Sequence, residues 1–109
     1  MSRVRQDIKI LVGADQSIEL EFLDGDCNPI DMSAATVFLV IRENVLRQDE
    51  RARFPGVGSS GKVTVAITRA QSLELGGADD VYDLVVTEGV STTYPRWGAC
   101  SYTAPLPAP

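Results

Sequence analysis

The sequence predicts an all-β domain, an antiparallel β-sandwich of about seven short strands with one helical turn. Three observations carry this reading. Apolar residues recur with a period of two in most segments, β-branched and aromatic residues fill those segments, and clusters of Gly, Pro, Asn and Asp separate them. A chain of 109 residues, 44% of them hydrophobic, supplies one core and no second domain. The domain is expected over residues 1–103, with a Pro-rich tail over 104–109.

The first strand is read in "QDIKILV", where Ile8, Ile10 and Val12 share a face. "SIELEFLD" repeats the pattern with Ile18, Leu20 and Phe22 inward, and the intervening "GADQ" reads as the turn of an antiparallel pair. "DGDCNPID" is a connection, and "TVFLVIRE" after it reads as a central strand with contacts on both faces. From Asn44 to Gly61 the sequence is harder to place: "ARF" fits a short helix or irregular strand, and "PGVGSSG" reads as loop. "KVTVAIT" restores alternation through Val63, Val65 and Ile67. Thr68 and Gln71 then have the spacing of a capping box at the start of a helical turn. "DVYDLVVTEG" places Tyr82, Leu84 and Val86 on one face and Val81, Asp83, Val85 and Thr87 on the other. In the last strand, "STTYPRWGACSYT", Pro95 points to an edge or bulge, and Gly98 to a bend or close backbone approach.

Charge and composition narrow the function. Ten Lys and Arg against fifteen Asp and Glu give a net charge of -5, the wrong sign for neutralising phosphates, so no nucleic-acid partner is expected. No apolar run is long enough to span a membrane, and the N-terminal stretch lacks the pattern of a secretory signal. Cys27 and Cys100 are accordingly expected as free thiols. The absence of histidine removes the commonest general base and any Ser-His or Cys-His pair, leaving carboxylate, lysine or tyrosine chemistry; with no paired motif for these in the sequence, no enzymatic activity and no cofactor are expected.

Several residues at turns and in strands carry a further signal. Asp24, Gly25, Pro29, Ile30 and Asp31 form one turn, Ala35, Thr36 and Val37 open a strand, and Gly61, Val63, Thr68 and Gln71 frame the next. Tyr82, Asp83 and Gly98 complete the set. This order resembles the immunoglobulin-like N-terminal domain of bacteriophage baseplate upper proteins and related tail and fibre-attachment proteins. The resemblance implies an immunoglobulin-like sandwich in a virion structural protein, made in the host cytoplasm: a tail or baseplate adaptor, a fibre-attachment module or a capsid decoration. The partners it implies are other virion proteins, with self-association as a further option. The family's long fibre region has no counterpart before Pro109, which shifts weight from receptor binding to attachment.

Each candidate site has a plainer structural explanation. Asp24, Asp26 and Asn28 have the opening spacing of a calcium loop, but Pro29 and Ala35 stand where that loop needs glycine and glutamate, so turn formation explains them. Asp79 and Asp80 read as a solvated connection, and Cys100 as a buried small hydrophobe. Tyr94 and Trp97 flank Pro95 as a protein-binding anchor or sugar platform on one reading, or an aromatic plug on the other. Arg47, Arg51 and Arg53 in a mixed-charge run, Arg3 and Arg5 in the N-terminal arm, and Leu106 in the tail complete the candidate partner-binding set. The leading expectation is therefore a non-enzymatic virion protein acting by protein-protein assembly; the alternative is a carbohydrate- or receptor-binding module on the virion surface.

Overall fold

A computed structural model describes residues 4–43, 50–75 and 80–103. Among these, the elements in order are β1 (Val4–Arg5), β2 (Ile8–Leu11), β3 (Gln16–Glu21), β4 (Thr36–Arg42), β5 (Glu50–Ser59), β6 (Lys62–Ile67), α1 (Arg69–Leu73), β7 (Val81–Glu88) and β8 (Ser91–Thr103). The fold is all-β. Its strands form one curled sheet in the order β1-β8-β7-β4-β5-β6-β3, with β2 continuing β1 beside β8.

The sheet is mixed rather than purely antiparallel, because β1 and β2 run parallel to β8. The first two alternating segments do not form a hairpin with each other. Instead β2 pairs with β8 and β3 with β6. Period-two patterning specifies which side chains face inward, not which strand lies alongside, so local sequence carried no signal for this partner exchange. Side chains join the two ends of the curl. The Gln16 amide accepts from Leu11 N at 2.8 Å and donates to Leu11 O at 2.7 Å, as a paired strand would. Further along, the Arg96 guanidinium stacks 4.3 Å from the Phe22 ring and donates to Glu21 O at 2.7 Å.

The inward faces converge on one core. Ile8 and Ile10, Leu20 and Phe22, Val63, Val65 and Ile67, and Tyr82, Leu84 and Val86 are all buried, as the alternation predicted. Each such side chain contributes about 1.5–3 kcal/mol of transfer free energy. The central strand β4 lies between β5 and β7, directing Val37, Leu39 and Ile41 into this core and Phe38, Val40 and Arg42 to the opposite face.

Most of the segment read as loop, residues 55–59, is the second half of the strand β5, and "ARF" takes the strand option of its two readings. Its glycines serve close packing: a Cβ at Gly58 would collide with the Met32 carbonyl oxygen. Pro55 is tolerated because pairing with β6 begins only at Gly56, so beside Pro55 there is no ladder on that side. α1 starts at the predicted capping box, with Thr68 Oγ1 accepting from Gln71 N at 3.1 Å and Gln71 Oε1 accepting from Thr68 N at 2.8 Å. Ser72 Oγ, accepting from Gly13 N at 2.8 Å, ties the helix to the turn between β2 and β3.

Candidate site on the outer face of the sheet

Two β-bulges determine which side chains reach the outer face. In β5, Ile41 pairs with Ala52 but Arg42 pairs with Glu50, so Arg51 is the extra residue. A bulge resets the alternation. Glu50 and Arg53, three residues apart, consequently share the outer face with Arg42, and Arg51 is turned toward Asp80 at 3.5 Å. In β8, Leu84 pairs with Arg96 and Val86 with Thr93, so one extra residue is accommodated around Tyr94 and Pro95. This is the interruption that Pro95 foretold. It leaves Tyr94 projecting, 49% exposed, beside Val85.

The outer face therefore collects residues from five strands: Arg5 of β1, Tyr94 and Trp97 of β8, Asp83 and Val85 of β7, Phe38, Val40 and Arg42 of β4, and Glu50 and Arg53 of β5. Four inter-strand spacings of about 4.8 Å make this strip roughly 19 Å wide. Charge and aromatic groups interleave along it. The Arg5 guanidinium lies 5.2 Å from the centre of the Trp97 ring, and that of Arg53 lies 4.9 Å from Phe38. Arg42 is ion-paired with Asp83 in a half-buried position. Arg53 donates to both carboxylate oxygens of Glu50, through Nε at 3.0 Å and through a terminal nitrogen. That hydrogen bonding holds the Glu50 carboxyl below its ordinary pKa and raises that of Arg53.

At the centre of the strip is a shallow depression of about 200 Å³, lined by Val40, Arg42, Glu50, Arg53, Asp83, Val85 and Tyr94. Val40 is only 5% exposed although it faces away from the core, so the ion pairs and Tyr94 fence a small apolar floor. An apolar centre inside a ring of arginine, aromatic and paired carboxylate groups is the composition of a protein-binding hot spot.

The structure thus brings Arg5, Arg53, Tyr94 and Trp97 together on one face and separates Arg51 from them. Arg3, Arg47, Leu106 and the tail 104–109 lie outside the described residues. The sequence reading missed Arg42, Glu50 and Asp83. A signal for two of them existed, since Asp83 interrupts the apolar run "VYDLVV" and Arg42 closes "TVFLVIR", and charges at these places need a cross-strand partner.

Elsewhere, the acidic turn answers to local bonding. Asp24 Oδ1 accepts from Asp26 N at 2.8 Å and Asn28 N at 3.0 Å, and these bonds lower its pKa. Asp80 is not a solvated connection: its side chain is fully buried and accepts from the Tyr102 hydroxyl. Asp79 lies outside the described residues. Cys100 is 3% exposed, and burial pushes its thiol up to about 11. Cys27 is exposed in the turn, and both cysteines are free.

Comparison with known proteins gives no matching family model and no matching curated protein.

Proposed function

We propose that this chain is a non-enzymatic structural protein of a bacteriophage virion, an immunoglobulin-like module that attaches to other virion proteins through the outer face of its sheet. The motif order from Asp24 to Gly98 supports the family reading. The inward faces of β2, β3, β4, β5, β6, β7 and β8 closing over one core support the sandwich description. The observation that carries the attachment role is the outer face itself, where three arginines, three aromatic residues and a fenced apolar floor lie on one sheet. Arg, Trp and Tyr dominate the binding energy of protein interfaces, and residues on paired strands need no further backbone ordering to bind.

A glycan-binding role would use the same depression, and Tyr94 beside two carboxylates and two arginines favours it. Against it, the Trp97 ring that would stack on a sugar already carries Arg5. Docking of a protein is the stronger reading.

The test is incorporation into particles. A Tyr94→Ala, Arg53→Ala double variant, supplied in place of the natural chain, is expected to be depleted from purified virions while remaining folded in the lysate. Incorporation at the natural copy number would remove the outer face as the attachment surface, and absence of the natural chain from virions would remove the virion reading.

A further inference from the structure

The start of β5 can lie on β4 in two registers, and charge separates them. Val40 pairs with Arg53 and Ile41 with Ala52. An unbroken ladder would continue with Arg42 opposite Arg51 and Glu43 opposite Glu50, two like-charge pairs of the kind that destabilise a sheet. The bulge replaces both: Arg42 meets Glu50, and Arg51 is left over. Asp80 gives Arg51 a place to go. The Asp80 side chain is fully buried, and Arg51 Nε lies 3.5 Å from its Oδ2. The same oxygen accepts from the Tyr102 hydroxyl. Burial, and then the bond to Asp80, push the pKa of that hydroxyl up, so it stays a donor. A buried carboxylate is costly unless it is paired and hydrogen-bonded. Asp80 therefore draws Arg51 inward, where Arg42 would repel it on the outside.

Resting on the reading of the outer face as a docking surface, we propose that the ion pair of Arg51 with Asp80 positions that face: it holds β5 in the bulged register and so decides which charges the face presents. In this register the depression is lined by Arg42 and Arg53 with Asp83 and Glu50, and these charges cancel. In the unbroken register Arg51 takes the place of Glu50 beside Arg42, because side chains alternate along the strand, and Glu50 turns to the other side. Three arginines then stand against Asp83 alone. Arg53 also loses the carboxylate that it now engages through Nε at 3.0 Å. A neutral, fenced floor becomes a cationic one, which suits a different partner. Asp80 does not itself line the depression, so its effect passes through Arg51 and the backbone of β5.

Arg51→Glu tests the positioning role, since its carboxylate is attracted by Arg42 outside and repelled by Asp80 inside. Cross-strand nuclear Overhauser contacts report the register. In the natural chain Glu50 is expected beside Arg42, and in Arg51→Glu beside Glu43. The Glu50 carboxyl, held below its ordinary pKa chiefly by Arg53, is then expected to return to the ordinary range in a ¹³C titration. Asp80→Asn keeps the size of the side chain and an acceptor for Tyr102 but removes the charge, and is expected to show both sets of Glu50 contacts. Tyr102→Phe weakens the same site without removing the ion pair, and is expected to keep the natural contacts alone, which separates register from mere loss of stability. Natural contacts alone in Arg51→Glu or in Asp80→Asn would overturn the proposal, as would a shifted register in Tyr102→Phe. Should Arg51→Glu fail to fold, Asp80→Asn carries the test. Virion incorporation separates the two readings. Normal incorporation of a register-shifted Arg51→Glu would remove the outer face as the docking surface and leave the positioning of β5 standing. An unshifted register would remove the positioning role and leave the outer face to be judged by the Tyr94→Ala, Arg53→Ala variant.

Discussion

Replacing Gly98 by alanine is expected to loosen the N-terminal strand from β8 at a cost of about 3 kcal/mol. A Cβ at this position would lie 2.5 Å from the Gln6 carbonyl oxygen, 2.8 Å from its carbon and 2.9 Å from Asp7 Oδ1. Two of these neighbours are backbone, and the third is a carboxylate fixed by Ala99 N at 2.9 Å, so no flexible side-chain end can swing aside. Restoring ordinary contact requires the strand to retreat by about 1 Å. Such a shift strains the Gln6 N to Trp97 O bond, now 2.8 Å, the Ala99 to Asp7 bond, and the bond from the Tyr82 hydroxyl to Gln6 O. Losing two of these at about 1 kcal/mol each, with overpacking of about 1–3 kcal/mol, outweighs the 0.4–1 kcal/mol or so that alanine recovers by restricting the unfolded chain. Trp97, the sole tryptophan, sits next to the change and reports unfolding by fluorescence. With a urea m-value of about 1.5 kcal/mol/M, the midpoint should fall by roughly 2 M. A fall of less than about 0.3 M would show that Gln6 and Asp7 do not press on Gly98, and the parallel seating of β1 and β2 would be wrong.

Further outcomes follow from local chemistry. Asp7, Asp24, Asp31 and Glu50 all have pKa values held below their ordinary ones, chiefly by hydrogen bonds from Ala99, Asn28, Ser33 and Arg53 respectively. Lowered folded-state values mean that their stabilisation is complete above the unfolded carboxylate range and is lost as pH falls through the folded values. Urea midpoints should therefore be flat above about pH 5 and decline below about pH 4, and a midpoint rising on acidification would contradict this. Thr68→Ala removes the cap of α1 and should cost about 1 kcal/mol, read by the same urea titration, with Thr68→Ser restoring most of it. A thiol reagent at pH 8 should label Cys27 rapidly and Cys100 only on unfolding, because burial holds the Cys100 thiol up at about 11; two fast thiols in the native protein would refute that burial.

How much of this was legible in the sequence depended on whether the cause was local. Period-two alternation placed Ile8, Leu20, Val63 and Tyr82 in the core, and the Thr68 and Gln71 spacing placed the helix start. Pro95 marked its bulge, and Gly98 its close approach. The second half of β5, from Pro55, was hidden because glycine, proline and serine are locally indistinguishable from a loop; only the Met32 carbonyl pressing on Gly58 reveals why glycine is needed in that strand. The outer face was half visible. Arginine and aromatic candidates were named one by one, but their meeting depends on the bulge at Arg51, which brings Glu50 and Arg53 to one side and sends Arg51 to Asp80. The bulge at Arg51 is set by pairing with β4 and has no proline or glycine beside it, so no short-range pattern announces it.

Trp97 is a direct reporter of the proposed contact between the outer face and virion partners. The chain has one tryptophan, so a ¹⁵N-labelled sample gives a single indole N–H resonance from that face. Titrated with unlabelled structural proteins released from the virion, the Trp97 indole and the Tyr94 and Arg53 signals should shift or broaden together, with β3 and β6 unaffected. Binding that leaves these signals in place while perturbing β3 would contradict the account.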